Sequence, residues 1–203
     1  MTIQSIRLLL AAASLLATAP ALTAAVETGS PAPDFSLVDT QGNGHSLSDF
    51  KGKFVVLEWT NHLCPFVVKH YSSGNMQSLQ EQLTTDGVVW LQIVSSAEGK
   101  QGHVSPEEGE ALRESQDVHS TAMLLDTEGT VGKAYDARTT PHMYLIDPEG
   151  TLVYQGAIDS IRSTAVADIP KAENYLLSAY KQVKAGEPVA KGTTQPYGCS
   201  VKY

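Results

Sequence analysis

The feature that most constrains this 203-residue chain is the junction at Cys64. The apolar, β-branched run Phe54-Val55-Val56-Leu57 passes through Glu58-Trp59-Thr60-Asn61-His62-Leu63 to Cys64-Pro65, and Phe66-Val67-Val68-Lys69-His70-Tyr71 follows. The first run has the composition of a buried strand, and the segment from Pro65 reads as a helix. Proline is favoured at the first helical position, which puts Cys64 at the helix N-cap. Unpaired amide N–H groups and the positive end of the helix dipole favour thiolate over thiol at that point. A free cysteine is often just a small buried apolar residue. Strand, turn, Cys-Pro and helix in that order instead make the setting of a reactive thiol.

The first 25 residues stand apart. Residues 1–7 carry one positive charge, residues 8–16 are apolar, and small residues run on to Ala25. This is the pattern of a secretory signal peptide, with cleavage expected after Ala21, Ala24 or Ala25. The apolar run is too short to span a bilayer, so no stable membrane insertion of the mature chain is expected. Export would place the protein in the periplasm or outside the cell, where two cysteines can pair. The remaining residues, about 178, suit one domain over residues 26–185 and a tail over 186–203 that carries Cys199. With 14 Lys and Arg against 22 Asp and Glu, the net charge is −8. Nucleic-acid binding needs a basic footprint, which this composition excludes.

Element signals follow in order. Residues 33–39 alternate apolar and polar, Thr40-Gln41-Gly42-Asn43-Gly44 turns the chain, and residues 45–50 return, which predicts an N-terminal hairpin. Met76, Leu79 and Leu83 form a helical stripe, with Gly74 dividing it from the turns after Pro65. Residues 88–94 read as a second buried strand, and Ser105-Pro106-Glu107-Glu108 as a helix start with an N-cap serine. A strand over 121–125, a short helix over 131–136, strands over 143–147 and 151–155 joined by Pro148-Glu149-Gly150, and a helix over 171–184 complete the pattern. The early βαβ alternation implies parallel pairing and the late hairpin an antiparallel edge. The expected class is α/β, a mixed central sheet flanked by helices.

That order, with Cys-Pro at the first strand–helix junction, resembles the thioredoxin-like fold, and more closely the alkyl hydroperoxide reductase/thiol-specific antioxidant redoxins. Three segments carry the likeness: residues 33–53 as the entry hairpin, residues 59–67 as the active-site turn, and Thr139-Thr140-Pro141 as the cis-proline loop. Together they span about residues 30–185. The resemblance implies a nucleophilic Cys64, with Thr140 and Pro141 lining the substrate side. In that fold the cis-proline loop pairs with a substrate backbone beside the reactive sulfur. It also implies a hydroperoxide or disulfide substrate and an external thiol reductant, with no bound organic cofactor.

Three positions depart from the better-known relatives. Val67 stands where thioredoxins place a second cysteine, and Asn61, with Thr60 one residue further away, where peroxiredoxins place a peroxide-binding hydroxyl. The family's peroxide-binding arginine falls near Pro141, and the nearest candidates are Arg138 and Arg162. Thr60 and Asn61 are therefore expected to shape the pocket, with Arg138 on the substrate side. A sulfenic acid on Cys64 would need a second thiol to resolve it, and Cys199 in a flexible tail is the candidate. The same pair can instead be a static staple, contributing about 4–5 kcal/mol in the loop-entropy model, or Cys199 can be an unpaired thiol.

A binding protein is the competing class. His62, Cys64 and His142 together offer borderline-to-soft ligands for copper or zinc, as in a thioredoxin-fold metallochaperone. Glu58 is either a buried proton relay under the thiol or a strand-end charge facing solvent. Trp59 and Trp90 read as core.

Overall fold

The computed structural model describes residues 26–203. The expected signal peptide lies outside the described residues. Seven strands form one mixed sheet: β1 (Ser36–Asp39), β2 (Gly44–Ser46), β3 (Val55–Trp59), β4 (Val89–Val94), β5 (Ala122–Leu125), β7 (His142–Ile146) and β8 (Leu152–Gly156). The spatial order is β2-β1-β5-β4-β3-β7-β8. β3, β4 and β5 are parallel, whereas β7 and β8 add antiparallel on one side and β1 and β2 on the other. Two further strands, β6 (Thr139–Thr140) and β9 (Cys199–Ser200), pair only with each other.

Both faces of the central strands are covered, which is why β3 and β4 are apolar almost throughout. Val56 and Trp90 face one cluster, together with Val67, Tyr71, Met76, Leu79, Leu83, Leu176 and Ala179 from the helices. These belong to α1 (Pro65–Ser72), α2 (Asn75–Thr85) and α5 (Tyr175–Lys184). Val55, Leu57, Trp59, Leu91 and Ile93 face the opposite cluster, closed by Phe35 and Leu47 of the entry segment and by Val131 of α4 (Thr130–Ala134). Leu112 of α3 (Pro106–Ser115) packs on Val94, Val104 and Met123.

The local signals explain the helix ends. Gly74 takes φ 74° and separates α1 from α2, as expected from its position. Ser105 caps α3 with a reciprocal capping box to Glu108, behind Pro106. The last helix begins at Tyr175 rather than near residue 171, because the Asn174 side chain accepts from the Leu177 N–H at 2.9 Å. The preceding residues Val166–Lys171, with Pro170 among them, form a 3-10 turn.

Candidate active site

Strand register brings the site together. Trp59 at the end of β3 pairs with His142 at the start of β7, so Thr140 and Pro141 lie beside the loop that leaves β3. The Thr140–Pro141 peptide bond is cis. In the loop, the Cys64 N–H donates to the Asn61 carbonyl at 2.9 Å. Cys64 is the N-cap of α1, with Pro65 in the first turn. Its carbonyl accepts from Val67 and Val68 at 2.9 and 2.8 Å, so its backbone starts the helix while its side chain makes no capping bond. The sulfur turns instead to the cis-proline loop, 3.0 Å from the Thr140 carbonyl oxygen.

The C-terminal segment, which lacks sequence periodicity, is held to the domain along its length. Gly192 and Thr194 exchange backbone bonds with Gln155 at the outer edge of β8. Cys199 then stands opposite Thr140, and Ser200 opposite Thr139, in the antiparallel pair of β6 with β9. Val201 donates to the Arg138 carbonyl, and the Lys202 carbonyl accepts from Ala97. The Tyr203 hydroxyl ends the run on the Ala137 carbonyl at 2.8 Å. Glycine makes this close approach possible. A Cβ on Gly198, whose φ is 146°, would fall 2.0 Å from the Thr140 oxygen, and one on Gly129 would fall 2.3 Å from the Tyr203 ring.

This course sets Cys199 against Cys64. The Cys199 N–H donates to Cys64 Sγ at 3.4 Å. Both thiols are free, and Cys64 is fully buried. Burial pushes the Cys64 thiol up, but hydrogen bonding, led by the Cys199 side chain and joined by its amide, outweighs it, so Cys64 lies below the ordinary thiol value. Cys199 moves the other way: burial, its bond to Cys64 and the Cys64 charge push it up to about 11. The pair is therefore asymmetric, with the thiolate favoured on Cys64.

The side chains of Thr60, Asn61 and Arg138 face other surroundings than the sulfur. Thr60 and Asn61 are buried. The Asn61 amide is spent on the loop, accepting from Leu63 N–H at 2.9 Å and donating to the Gln101 carbonyl at 3.2 Å. The cavity that Thr60, Asn61 and His62 line holds only about 10 Å³. The Arg138 guanidinium is largely exposed and paired with Asp136, and its carbonyl accepts from the tail at Val201.

The alternative metal set of His62, Cys64 and His142 does not assemble. Among the described residues no three His, Cys, Asp or Glu side chains gather to hold an ion. Strand alternation is the reason: His142 shares the face of Tyr144, with ring centroids 4.5 Å apart, whereas Cys64 packs in the cluster on the other face. His142 Nδ1 also accepts from the Arg138 N–H at 3.3 Å and lies 3.0 Å from Tyr144 Oη.

Glu58 is buried rather than facing solvent. Its carboxylate accepts from Tyr71, Gln80 and Trp90 at 2.8, 3.2 and 2.8 Å, and burial holds its pKa above the usual carboxylate range. No hydrogen bond among the described residues joins this network to Cys64. Sequence reasoning missed Tyr197 and Asp159, which bond to each other beneath the tail; a lysine in the apolar run 66–69 was the only hint that α1 meets a buried acid there.

With this geometry in view, residues 28–155 match the model of the AhpC/TSA family. The chain belongs to that family. The redoxin match stops before the C-terminal segment that carries Cys199. The chain is similar to the thiol-disulfide oxidoreductase ResA of Bacillus subtilis (strain 168), with 33% identity over 135 residues, 63% of this chain and 66% of that protein. It thus spans just under two thirds of that relative's length. An uncharacterized conserved protein from Geobacillus kaustophilus has a similar solved structure, with a TM-score of 0.77 and 28% identity over 87% of this chain and 92% of that one. The thioredoxin domain of a thiol-disulfide oxidoreductase from Bacteroides vulgatus shares the fold at a TM-score of 0.52 and 23% identity, covering 72% of this chain and 98% of that one. The redoxin is thioredoxin-like.

Proposed function

We propose that this redoxin is an exported thiol–disulfide oxidoreductase in which Cys64 is the nucleophile and Cys199 its resolving thiol. The observation that carries the reading is the contact between the Cys199 amide and Cys64 Sγ, with the two thiols shifted in opposite directions. The name of the Bacillus subtilis relative points to the same chemistry.

The reaction balances as two exchanges. The Cys64 thiolate attacks one sulfur of a substrate disulfide; that S–S bond breaks, the distal thiolate leaves and takes a proton, and a mixed disulfide forms on Cys64. Cys199, after losing its proton, attacks Cys64 Sγ and expels the second substrate thiolate. The substrate gains two electrons, the enzyme holds a Cys64–Cys199 disulfide, and an external thiol reductant restores it. The helix N-terminus and the Cys199 amide favour the thiolate as attacking and as leaving group.

A hydroperoxide is the other oxidant the family suggests. Its site would need hydroxyl and guanidinium donors converging on the sulfur. The roughly 10 Å³ beside Thr60 and Asn61 is room for one water at most, and Arg138 is engaged with Asp136. A disulfide substrate is thus the better supported. Thr140 and Pro141 would line its approach.

Steady-state reduction of a small disulfide by the full chain tests the reading. Cys64→Ser is expected to abolish turnover, and Cys199→Ser to stop after one mixed disulfide at Cys64. Turnover retained by Cys64→Ser would refute it.

A further inference from the structure

Beneath the tail lies a buried charge cluster with no part in the exchange just described. Lys69 of α1 is fully buried, and its Nζ sits 3.3 Å from Asp159 Oδ2. The His70 ring nitrogen Nε2 lies 3.8 Å from the same oxygen and has no hydrogen-bond partner among the described residues. The other carboxylate oxygen, Oδ1, accepts from the Ile161 N–H at 3.0 Å and from the Tyr197 hydroxyl. The Tyr197 ring meets Phe66 edge-on, with centroids 5.7 Å apart. Buried lysine and aspartate are tolerated only as partners. Asp159 therefore ties together two chain segments that carry the reacting sulfurs: α1, five residues after Cys64, and the tail, two residues before Cys199.

The tail that this cluster anchors occupies a strand edge beside Cys64. β9 fills the free edge of β6 residue for residue, with Cys199 opposite Thr140 next to the cis proline. While it does so, Cys64 is fully covered and the β6 edge is paired. An extended polypeptide can pair with that edge only in place of β9.

We propose that Tyr197 and Asp159 are positioning residues that latch the C-terminal segment as an internal stand-in for an extended, cysteine-bearing polypeptide substrate. Latched, the tail presents Cys199 to Cys64 at high effective concentration and closes the β6 edge. Lifted, it opens that edge to an outside strand whose disulfide Cys64 attacks. The second half rests on the exchange function proposed above; the first half does not.

The test uses the full-length mature protein with Tyr197→Phe and with Asp159→Asn. Tyr197→Phe keeps the ring on Phe66 and removes only the hydroxyl, so the domain remains folded by circular dichroism. Two quantities are read. One is the rate at which iodoacetamide alkylates Cys64 in a Cys199→Ser background. The other is the ratio of intramolecular disulfide to glutathionylated Cys64 in a glutathione redox buffer. The latch predicts alkylation at least about 10-fold faster and effective concentration of Cys199 lower by a similar factor. Hydrogen exchange at the amides of residues 199–203 should rise with both. Alkylation, disulfide ratio and exchange all unchanged in the folded variants would overturn the latch. Faster alkylation in variants that never react with a disulfide would keep the latch and refute the exchange reading.

Discussion

The amide of Cys199 points at the sulfur of Cys64 across 3.4 Å, although 135 residues separate them in the chain. The contact is set by the pairing of β9 with β6 and not by either cysteine, because Cys199 faces Thr140 in register. A buried thiol under a strand that carries a second thiol differs from the two-cysteine turn of thioredoxins, where both sulfurs sit at one helix end. Val67 occupies that place and is buried in the core instead.

The asymmetry of the pair should appear in titration. In the reduced protein, thiolate absorbance is expected to rise in two steps, the first belonging to Cys64 and below the ordinary value of 9.0, the second to Cys199 near about 11. The Cys64→Ser variant should lose the lower step. A single step at the ordinary thiol value would contradict the geometry.

Gly198→Ala tests the docked strand. The added methyl would meet the Thr140 carbonyl at 2.0 Å, and φ 146° is unfavourable for any side chain, so β9 must leave β6. The expected loss is about 1–3 kcal/mol in chemical denaturation, together with lost amide protection over residues 199–203 and fast alkylation of Cys64. Protection equal to that of the parent would show that the segment is not seated as described.

Stability should fall on mild acidification. Burial, with the Lys69 charge adding to it, lowers His70 to about 4, and burial lowers His142 to about 3. Both folded values lie below the ordinary 6.5, so the unfolded chain takes up protons that the folded chain refuses. Stability contributed by the neutral rings is complete above 6.5 and is lost as pH falls from there to about 4 for His70 and about 3 for His142. At about 1.4 kcal/mol per unit the loss is on the order of 3 kcal/mol for His70. Urea midpoints measured between about pH 7 and pH 4 check this; a flat profile would contradict it.

Lys69 and Asp159 should behave as one unit. Lys69→Met leaves a buried carboxylate without its cation and is expected to cost about 3–5 kcal/mol. Adding Asp159→Asn should recover part of that loss, giving a coupling energy above about 1 kcal/mol in a double-mutant cycle. Additive losses would mean that the ion pair is not formed.

What the sequence made legible was local. The apolar run of β3, Cys64 at the cap before Pro65, the break at Gly74 and the Ser105 capping box each depend on neighbours within a few residues, and each stands where the pattern placed it. The tail was not legible, because a two-residue strand has no periodicity and its order comes from distant partners such as Thr140, Asp159 and Gly129. The roles expected of Asn61 and Arg138 also depended on where side chains point, and the 101 loop and Asp136 claim them instead. His142 looked close to Cys64 because it follows Pro141, but strand alternation turns its ring to the other face.

The most direct measurement of the central claim is mass spectrometry of the reduced mature protein after one equivalent of oxidised glutathione. The expected products are a Cys64–Cys199 disulfide in the parent, reversed by added thiol, and a glutathione adduct confined to Cys64 in Cys199→Ser. A parent protein in which both thiols survive, or an adduct that forms on Cys199 while Cys64 stays free, would contradict it.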